Sequence, residues 1–377
     1  MPWLAADRPI NDTGVRAFLT TSFIVRRRNL IYPYFCEVRD SFRKSEFTAS
    51  IGSVPQLQQV PWNIEAPELA GFTDYRLTWT NQLFRLIFGM QREALDFDLT
   101  GQLRHLLDQV GARLANWPEV LFFTRLRAAT SIESYDSGRN GNGTIYFFST
   151  SHNLGNGTSN LSNLLSGSTD TETDFSGSGT SPPDFAATAK KLWVDFNNAV
   201  TALRSMTDDR GYPFHGPKID PEGLTILCSP LVEEAMNLAF RGQFIAQTDN
   251  TFRNKVKIVS SALLPMSGAE AADWYLSYTA PGTNRPFTYS RFRRITDQQI
   301  EDGDNMTQEG TGSSYEDMYE GLRDFSSYEV QTNLGNVGTR SEADTILRDR
   351  FLFGARWVGE IFPNEWRNII KVDNTGG

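Results

Sequence analysis

A chain of 377 residues, 39% apolar and 21% charged, is long enough for one large packed domain or two to three small ones. Its net charge of −9 argues against a role built on gripping a nucleic-acid backbone, which takes a basic excess. Two distant cysteines, Cys36 and Cys228, rule against a disulfide framework and fit a reducing compartment, while the absence of a charged-then-apolar leader and of any apolar run of about 18 residues argues against a signal peptide or membrane span.

Residues 1–45 show poor hydrophobic periodicity and read as an arm, locally basic around Arg26, Arg27 and Arg28. Either the charges are simply solvated or the arm lies on an acidic surface of a neighbouring copy. Phe47–Ile51 reads as a strand, the proline-spaced stretch 54–67 as no regular element, and Asp74–Thr80 as a half-buried strand with Tyr75, Leu77 and Trp79 alternating. Leu83–Met90 extends that strand or pairs back on it. Asp98 then caps a long helix carrying Leu99, Leu103, Leu106, Leu107, Val110 and Leu114 at helical spacing, with a break or kink at Trp117-Pro118 before Val120–Ala129 resumes it.

Residues 131–183 are rich in Ser, Gly, Thr and Asn and read as loop around one short strand at Thr144–Phe148. A second helix follows Asp184, with a stripe from Ala189 to Met206 and Gly211 as its terminator. Leu224–Cys228 reads as a buried strand, and Ser229-Pro230 starts a helix running to Phe240. Val256 and Ile258 mark a strand. Trp274–Thr279 and Phe287–Phe292, flanking Pro281-Gly282-Thr283-Asn284, read as a hairpin. An acidic stretch covers 297–329, and Leu347–Gly359 alternates into a long strand with one wet face. The layout is mixed α+β, without an internal repeat.

No motif carries catalytic chemistry. The three histidines, His105, His152 and His215, form no i, i+4 pair, and no phosphate loop, dinucleotide fingerprint or nucleophile elbow occurs. Glu233-Glu234 sits in a helix first turn, where acids favour the dipole and adjacent residues face apart. Asp208-Asp209 with Asp220 reads either as a cation site or, more economically, as a turn. The stretch 297–329 lacks calcium-loop spacing. No catalytic residue, cofactor or metal is expected. Aromatic content of 12%, with 26 Phe and 8 Trp, suits a Phe-rich core and large interfaces alike.

Several segments, in order, resemble the major head subunit family of Mu-like tailed bacteriophages. The block from Leu77 to Leu121 resembles that family's strand, acidic turn and long helix, with Trp117-Pro118-Glu119 in place of its H-P-D break. Tyr146–Asn153 resembles its FFDTDHP turn, with Ser149 and Ser151 where the family has aspartates. Residues 196–239 resemble its helix, D-D-x-G-R-P-L turn, strand and helix, with Tyr212 and Phe214 replacing arginine and leucine. Asp273–Phe292 and Asp349–Phe362 resemble its C-terminal strands. The match spans roughly residues 46–370.

The resemblance implies the HK97-like capsid fold: an N-terminal arm (1–45), an E-loop region (46–95), a peripheral domain with a long spine helix (96–184), an axial domain (185–335) and a C-terminal return to the peripheral domain (336–377). It implies a major capsid protein, not an enzyme, that self-assembles through hexameric and pentameric capsomers into an icosahedral head in the virion, assembled in the host cytoplasm. Expected partners are further copies of itself, a separate scaffolding protein (no room for a fused one precedes the spine helix), a portal, a decoration protein, and packaged double-stranded DNA without sequence-specific binding; no membrane is expected. Arg26, Arg27, Arg28, Trp62, Trp79 and Phe84 are the candidate inter-subunit contacts. Removing residues 1–40 is expected to leave a soluble subunit that assembles poorly. The alternatives are a carbohydrate-active enzyme, which needs two acids in a cleft, and another phage structural protein of the tail or decoration type.

Overall fold

Leu224–Cys228 and Trp274–Tyr278 are buried at every position, and Phe287–Phe292 at all but the last. A strand covered on both faces belongs inside a layered sheet, and these three lie within two different sheets. The computed structural model describes residues 21–26, 29–51, 74–91, 102–137, 143–153, 159–169, 174–175, 184–292 (except 217, 243, 246–247, 251 and 281), 328–332 and 350–374.

After a helical stretch at 21–26, the short helix α1 (Tyr32–Phe35) leads into β1 (Cys36–Ser41), β2 (Ser45–Ile51), β3 (Asp74–Thr80) and β4 (Gln82–Gln91). The long helix α2 (Gln102–Ala128) precedes the short strands β5 (His152–Asn153), β6 (Ser159–Leu161) and β7 (Leu164–Ser166). Then come α3 (Phe185–Ser205), β8 (Leu224–Cys228), α4 (Pro230–Arg241), β9 (Phe244–Ile245), β10 (Thr248–Asp249) and β11 (Lys257–Ser260). The strands β12 (Trp274–Tyr278), β13 (Phe287–Phe292), β14 (Tyr328–Thr332), β15 (Arg350–Pro363) and β16 (Ile369–Asp373) complete the order.

The first sheet runs β1-β13-β15-β14, with β4 also on β15. β15 is antiparallel to β4, β13 and β14, while β1 joins β13 in parallel. Its 14 residues reach about 45 Å, matched by the 27 residues of α2, about 40 Å, which lies against it. The second sheet runs β11-β8-β12-β16-β7, with α3 and α4 packed on each other and on its strands. The β2–β3 pair leans on the first sheet through Thr48, whose hydroxyl donates to the Pro363 carbonyl at 3.1 Å. A run of rings joins the two sheets: Phe35 to Phe122 (5.7 Å), Phe122 to Phe287 (5.5 Å), Phe287 to Phe147 (5.1 Å), and on through Phe148 to Tyr275 (5.7 Å). These contacts are stacked (Phe35–Phe122), edge-to-face (Phe122–Phe287, Phe147–Phe148) or tilted, and aromatic pairs in favourable geometry stabilise by roughly 0.5–1.5 kcal/mol each beyond their burial.

Strands β2, β3 and β8 and helix α4 fall where the sequence pattern puts them, while α2, α3, β11 and β15 overlap their expected spans; β15 ends at Pro363 rather than Gly359, and from Ala355 to Pro363 it has no exposed residue in place of the expected wet face. Other elements differ. The expected hairpin of Trp274–Thr279 and Phe287–Phe292 does not form: β12 pairs with β8 and β16, β13 with β1 and β15. Each strand has both edges paired within its own sheet, so the segment between them crosses from one sheet to the other. Leu83–Met90 neither extends β3 nor pairs back on it; β4 pairs with β15. Thr144–Phe148 is not a strand. Phe147 and Phe148 plug the gap between sheets, and their amides donate to Ile132 and Ala129 at the end of α2.

The one long helix expected across Trp117-Pro118 forms: α2 continues through Pro118, so of the expected break or kink the break is not seen. Pro118 removes one amide, but Leu114, Ala115, Leu121, Phe122 and Phe123 are buried on either side, and their packing holds the helix. α3 ends at Ser205 rather than at Gly211. Gly211, at φ +83°, instead closes a turn in which the Asp208 carboxylate accepts from the amides of Arg210 and Tyr212. Within 1–45, Cys36–Ser41 is a paired strand and Phe23, Tyr32, Phe35 and Cys36 belong to the core. Among the described residues of 131–183, three short strands form, one of them in the second sheet. The last strand, β16, lies in the second sheet, so residues 336–377 serve both. Asp98, the 54–67 stretch and 297–327 lie outside the described residues.

Candidate functional site

Polar groups inside the molecule tie together segments distant in the chain. His152 and Asp136 are both fully buried, with Nδ1 2.9 Å from the Asp136 carboxylate. The other ring nitrogen, Nε2, lies 3.0 Å from Asn163 Oδ1. The Asn163 amide nitrogen donates to the carbonyls of Phe147 and Trp366, which fixes its oxygen toward the histidine. Both ring nitrogens therefore face acceptors, and the ring stacks on Trp366 at 3.7 Å. Burial alone would raise the Asp136 carboxyl; the hydrogen bond and charge of His152 outweigh it and hold it below its ordinary value. Of the FFDTDHP-like turn, the histidine is thus the anchoring residue, while Ser149 contributes its amide to Asn163.

Three further contacts tie segments distant in sequence. Glu119, in the expected helix break, accepts from the amides of Ile31 and Tyr32 at 2.9 Å each, and burial raises its carboxyl despite those bonds. Arg125 forks onto Glu360 at 2.9 and 2.8 Å, joining α2 to β15. Arg367 is buried against Glu365 and the Tyr135 hydroxyl; burial would lower it, but Glu365 holds it above its ordinary value, and Phe214 lies 3.9 Å below its guanidinium. Asp208 is occupied by its own turn, and Asp220 accepts from the Glu222 amide. Among the described residues no group of three His, Cys, Asp or Glu could hold a metal ion, and no helix is long and apolar enough to cross a membrane.

The surface carries a different feature. β4 alternates, so that Leu83, Arg85 and Ile87 are exposed while Phe84 and Leu86 turn toward α2. Across from them stand Ala355 and Trp357 of β15, in register with Leu86 and Phe84. With Arg113, Leu114, Asn116, Trp117 and Val120 of α2 they line an apolar groove of about 460 Å³, within the range of ligand-holding pockets. Phe84 is wedged between Trp117 (4.9 Å) and Trp357 (5.3 Å). The Trp117 indole N–H is buried there without an acceptor. Val120 is 37%, Leu83 45% and Ile87 67% exposed, and β4 pairs with β15 alone among the described strands.

Of the contact residues read from the sequence, Phe84 lines this groove. Trp79 stacks on Phe362 at 5.7 Å and donates to Thr48, so it is partly buried in its own chain. Arg26 lies 3.8 Å from Asp108, both exposed. Arg27, Arg28 and Trp62 lie outside the described residues. Trp117, Val120 and Trp357 were not singled out as surface residues by periodicity, because a helix stripe and a strand alternation each look complete without the other. His152, Asp136 and Asn163 meet only through tertiary structure; the one sequence signal was a lone histidine beside a pair of phenylalanines.

Compared with known proteins, residues 84–372 match the family model described as phage capsid protein, roughly three quarters of the sequence, and the chain belongs to that family. No curated protein matches it. Among solved structures, the mature capsid of bacteriophage PhiM1 is similar at 9% identity and a TM-score of 0.51, over 93% of this chain and 88% of that one. The capsids of bacteriophage JBD30 (18% identity, TM-score 0.45, over 62% and 90%) and of cyanophage P-SCSP1u (12%, 0.47, over 92% and 89%) are also similar. The likeness to the PhiM1 capsid gives the fold class: a mixed α+β, HK97-like capsid fold.

Proposed function

We propose that this chain is the major capsid protein of a Mu-like tailed phage, a shell subunit acting by geometry and not by catalysis. Copies would assemble through hexameric and pentameric capsomers into an icosahedral head around double-stranded DNA, first in the host cytoplasm and then in the virion. Membership of the phage capsid family over residues 84–372 carries this reading. In it, α2 is the spine helix of a peripheral domain, β2, β3 and the residues between them are the E-loop, and the second sheet with α3 and α4 is the axial domain. The apolar groove and the exposed apolar side chains of β4 then count as contact surface, since patches of this kind mark interaction sites. Many moderate contacts summed over a closed shell stabilise it.

The proposed partners are further copies of the chain, a separate scaffolding protein, a portal, a decoration protein and DNA held without sequence-specific contacts. Glu119, Asp136, Glu360 and Glu365 each serve an internal partner, which weighs against the two-acid cleft of a glycosidase. Sedimentation velocity of the purified chain, with its scaffolding protein co-expressed, tests the proposal. Boundaries at the size of rings or shells are expected; a monomer boundary with the scaffolding protein present would overturn it.

A further inference from the structure

Two Lys–Asp contacts in this fold differ in kind. Lys191 Nζ meets both oxygens of Asp174, at 2.8 Å each, with the lysine side chain 43% exposed, an ordinary forked ion pair at the surface. Lys371 of β16 instead meets one oxygen of Asp273, Oδ2 at 2.8 Å, and both side chains are nearly closed to solvent, at 9% and 5%. The other oxygen, Oδ1, accepts from the Asn374 backbone amide at 2.9 Å. A second carboxylate, Asp373, stands 3.6 Å from the same Nζ.

Paired strands hold these groups in place. β12 and β16 are antiparallel neighbours, with Trp274 opposite Val372 and Tyr275 opposite Lys371, so Asp273 enters β12 beside Asp373. Alternation puts Lys371 and Asp373 on one face of β16. The residue that supplies the amide is itself clamped: the Asn374 side-chain nitrogen donates to the Ala272 carbonyl at 2.7 Å, and its oxygen accepts from the Thr169 amide at 3.3 Å. Burial raises the Asp273 carboxyl above its ordinary value, against the pull of Lys371, and the charge of Asp373 adds to the rise. A protonated carboxyl beside a neutral amine is the reactant pair of an amide, whereas the ionised pair is inert.

We propose that Lys371 and Asp273 condense into an amide within the folded subunit, with Asp373 carrying the protons, so that β16 is bonded covalently to the start of β12. One proton first passes from the Lys371 ammonium to the Asp273 carboxylate, leaving neutral amine and neutral acid. Nζ attacks Asp273 Cγ, and negative charge develops on Oδ1, where the Asn374 N–H points. The Asp373 carboxylate takes a proton from the attacking nitrogen and returns it to the Oδ2 hydroxyl, which leaves as water. One N–C bond forms, one C–O bond breaks, one water is released, and nothing is oxidised or reduced. Contact fixed by the strand pairing removes most of the entropy cost of bringing the two groups together. The product carries no charge, whereas the buried ion pair bears a desolvation penalty of its own. The inference concerns the single chain and does not depend on the shell reading.

The test uses the full-length chain, folded, then denatured, digested with trypsin and analysed by tandem mass spectrometry. Trypsin cuts after Lys257, Arg291 and Arg367 and passes Arg285, which precedes Pro286. Expected is a species in which residues 258–291 are joined to 368–377, uncut after Lys371 and lighter by one water than the two peptides together. Lys371→Arg keeps the positive charge and should abolish the joined species. Asp373→Asn keeps both reacting groups and, sampled over time after synthesis, should form it about 100-fold more slowly. Circular dichroism checks that each variant folds. Peptides 258–291 and 368–371 recovered separately at full mass from the wild-type chain would overturn the inference, whatever the variants do. Undiminished joining in Asp373→Asn would overturn the role of Asp373.

Discussion

Replacing Asp136 separates the contribution of charge from that of shape at the joint between the sheets. Asp136→Ala leaves the His152 ring fully buried with one donor facing nothing. Breaking a buried pair from one side costs about 3–5 kcal/mol, a large part of the roughly 5–15 kcal/mol that holds an ordinary domain together. Asp136→Asn keeps an acceptor oxygen at the same place, 2.9 Å from Nδ1. It loses the charge assistance, about 1–2 kcal/mol from the difference between charged and neutral hydrogen bonds, and places its amide nitrogen where the second carboxylate oxygen has no hydrogen-bond partner. The pH dependence has a definite sign. The folded carboxyl is held below its ordinary 3.8, so its contribution is complete above that value and is lost as pH falls through the lower folded one. Urea unfolding of the unassembled subunit, followed by tryptophan fluorescence, reads both variants, since Trp366 stacks directly on the ring. Alanine within about 0.5 kcal/mol of wild type, an effect expected only of surface sites, or asparagine as costly as alanine, would refute the reasoning.

Glu119→Ala strands two amides, Ile31 and Tyr32, and should cost about 2–4 kcal/mol with much faster hydrogen exchange at Tyr32; unchanged exchange would contradict it. Phe287→Ala empties the ring run between the sheets, where Phe122 and Phe147 lie 5.5 and 5.1 Å away, and should cost about 3–5 kcal/mol in the same urea assay. Deleting residues 1–20 should leave a folded subunit, by circular dichroism, that assembles poorly. Deleting 1–40, which on sequence alone is expected to leave a soluble subunit that assembles poorly, should instead unfold it, because Phe23, Tyr32 and Phe35 are core residues and β1 pairs with β13. A folded subunit from the longer deletion would refute that placement.

Elements whose signal is local were legible. The stripe of α3 from Ala189 to Leu203 and its cap are carried by residues a few positions apart, and Asp184 accepts from the amides of Ala186 and Ala187 as its position before the stripe predicts. Leu224–Cys228 was legible because a short apolar run between turn residues has little choice but a buried strand. Partnership was not legible. The turn at 281–284 is consistent with either a hairpin or a crossover, and only the strands paired on the edges of β12 and β13, distant in sequence, choose. Ser229 was read correctly as the position before a helix but not in its bond, since its hydroxyl donates to Ala271 rather than capping α4. The groove needed β4, β15 and α2 together. Trp117-Pro118-Glu119 was conspicuous in the sequence, yet its consequences, a carboxylate on the Tyr32 amide and an indole in the groove, belong to other segments of the chain.

Electron microscopy of the purified chain, made with its scaffolding protein, tests the central claim most directly. A shell-forming subunit gives closed particles, tubes, or five- and six-membered rings; a field of uniform monomers, persisting with the scaffold present, would contradict the capsid reading.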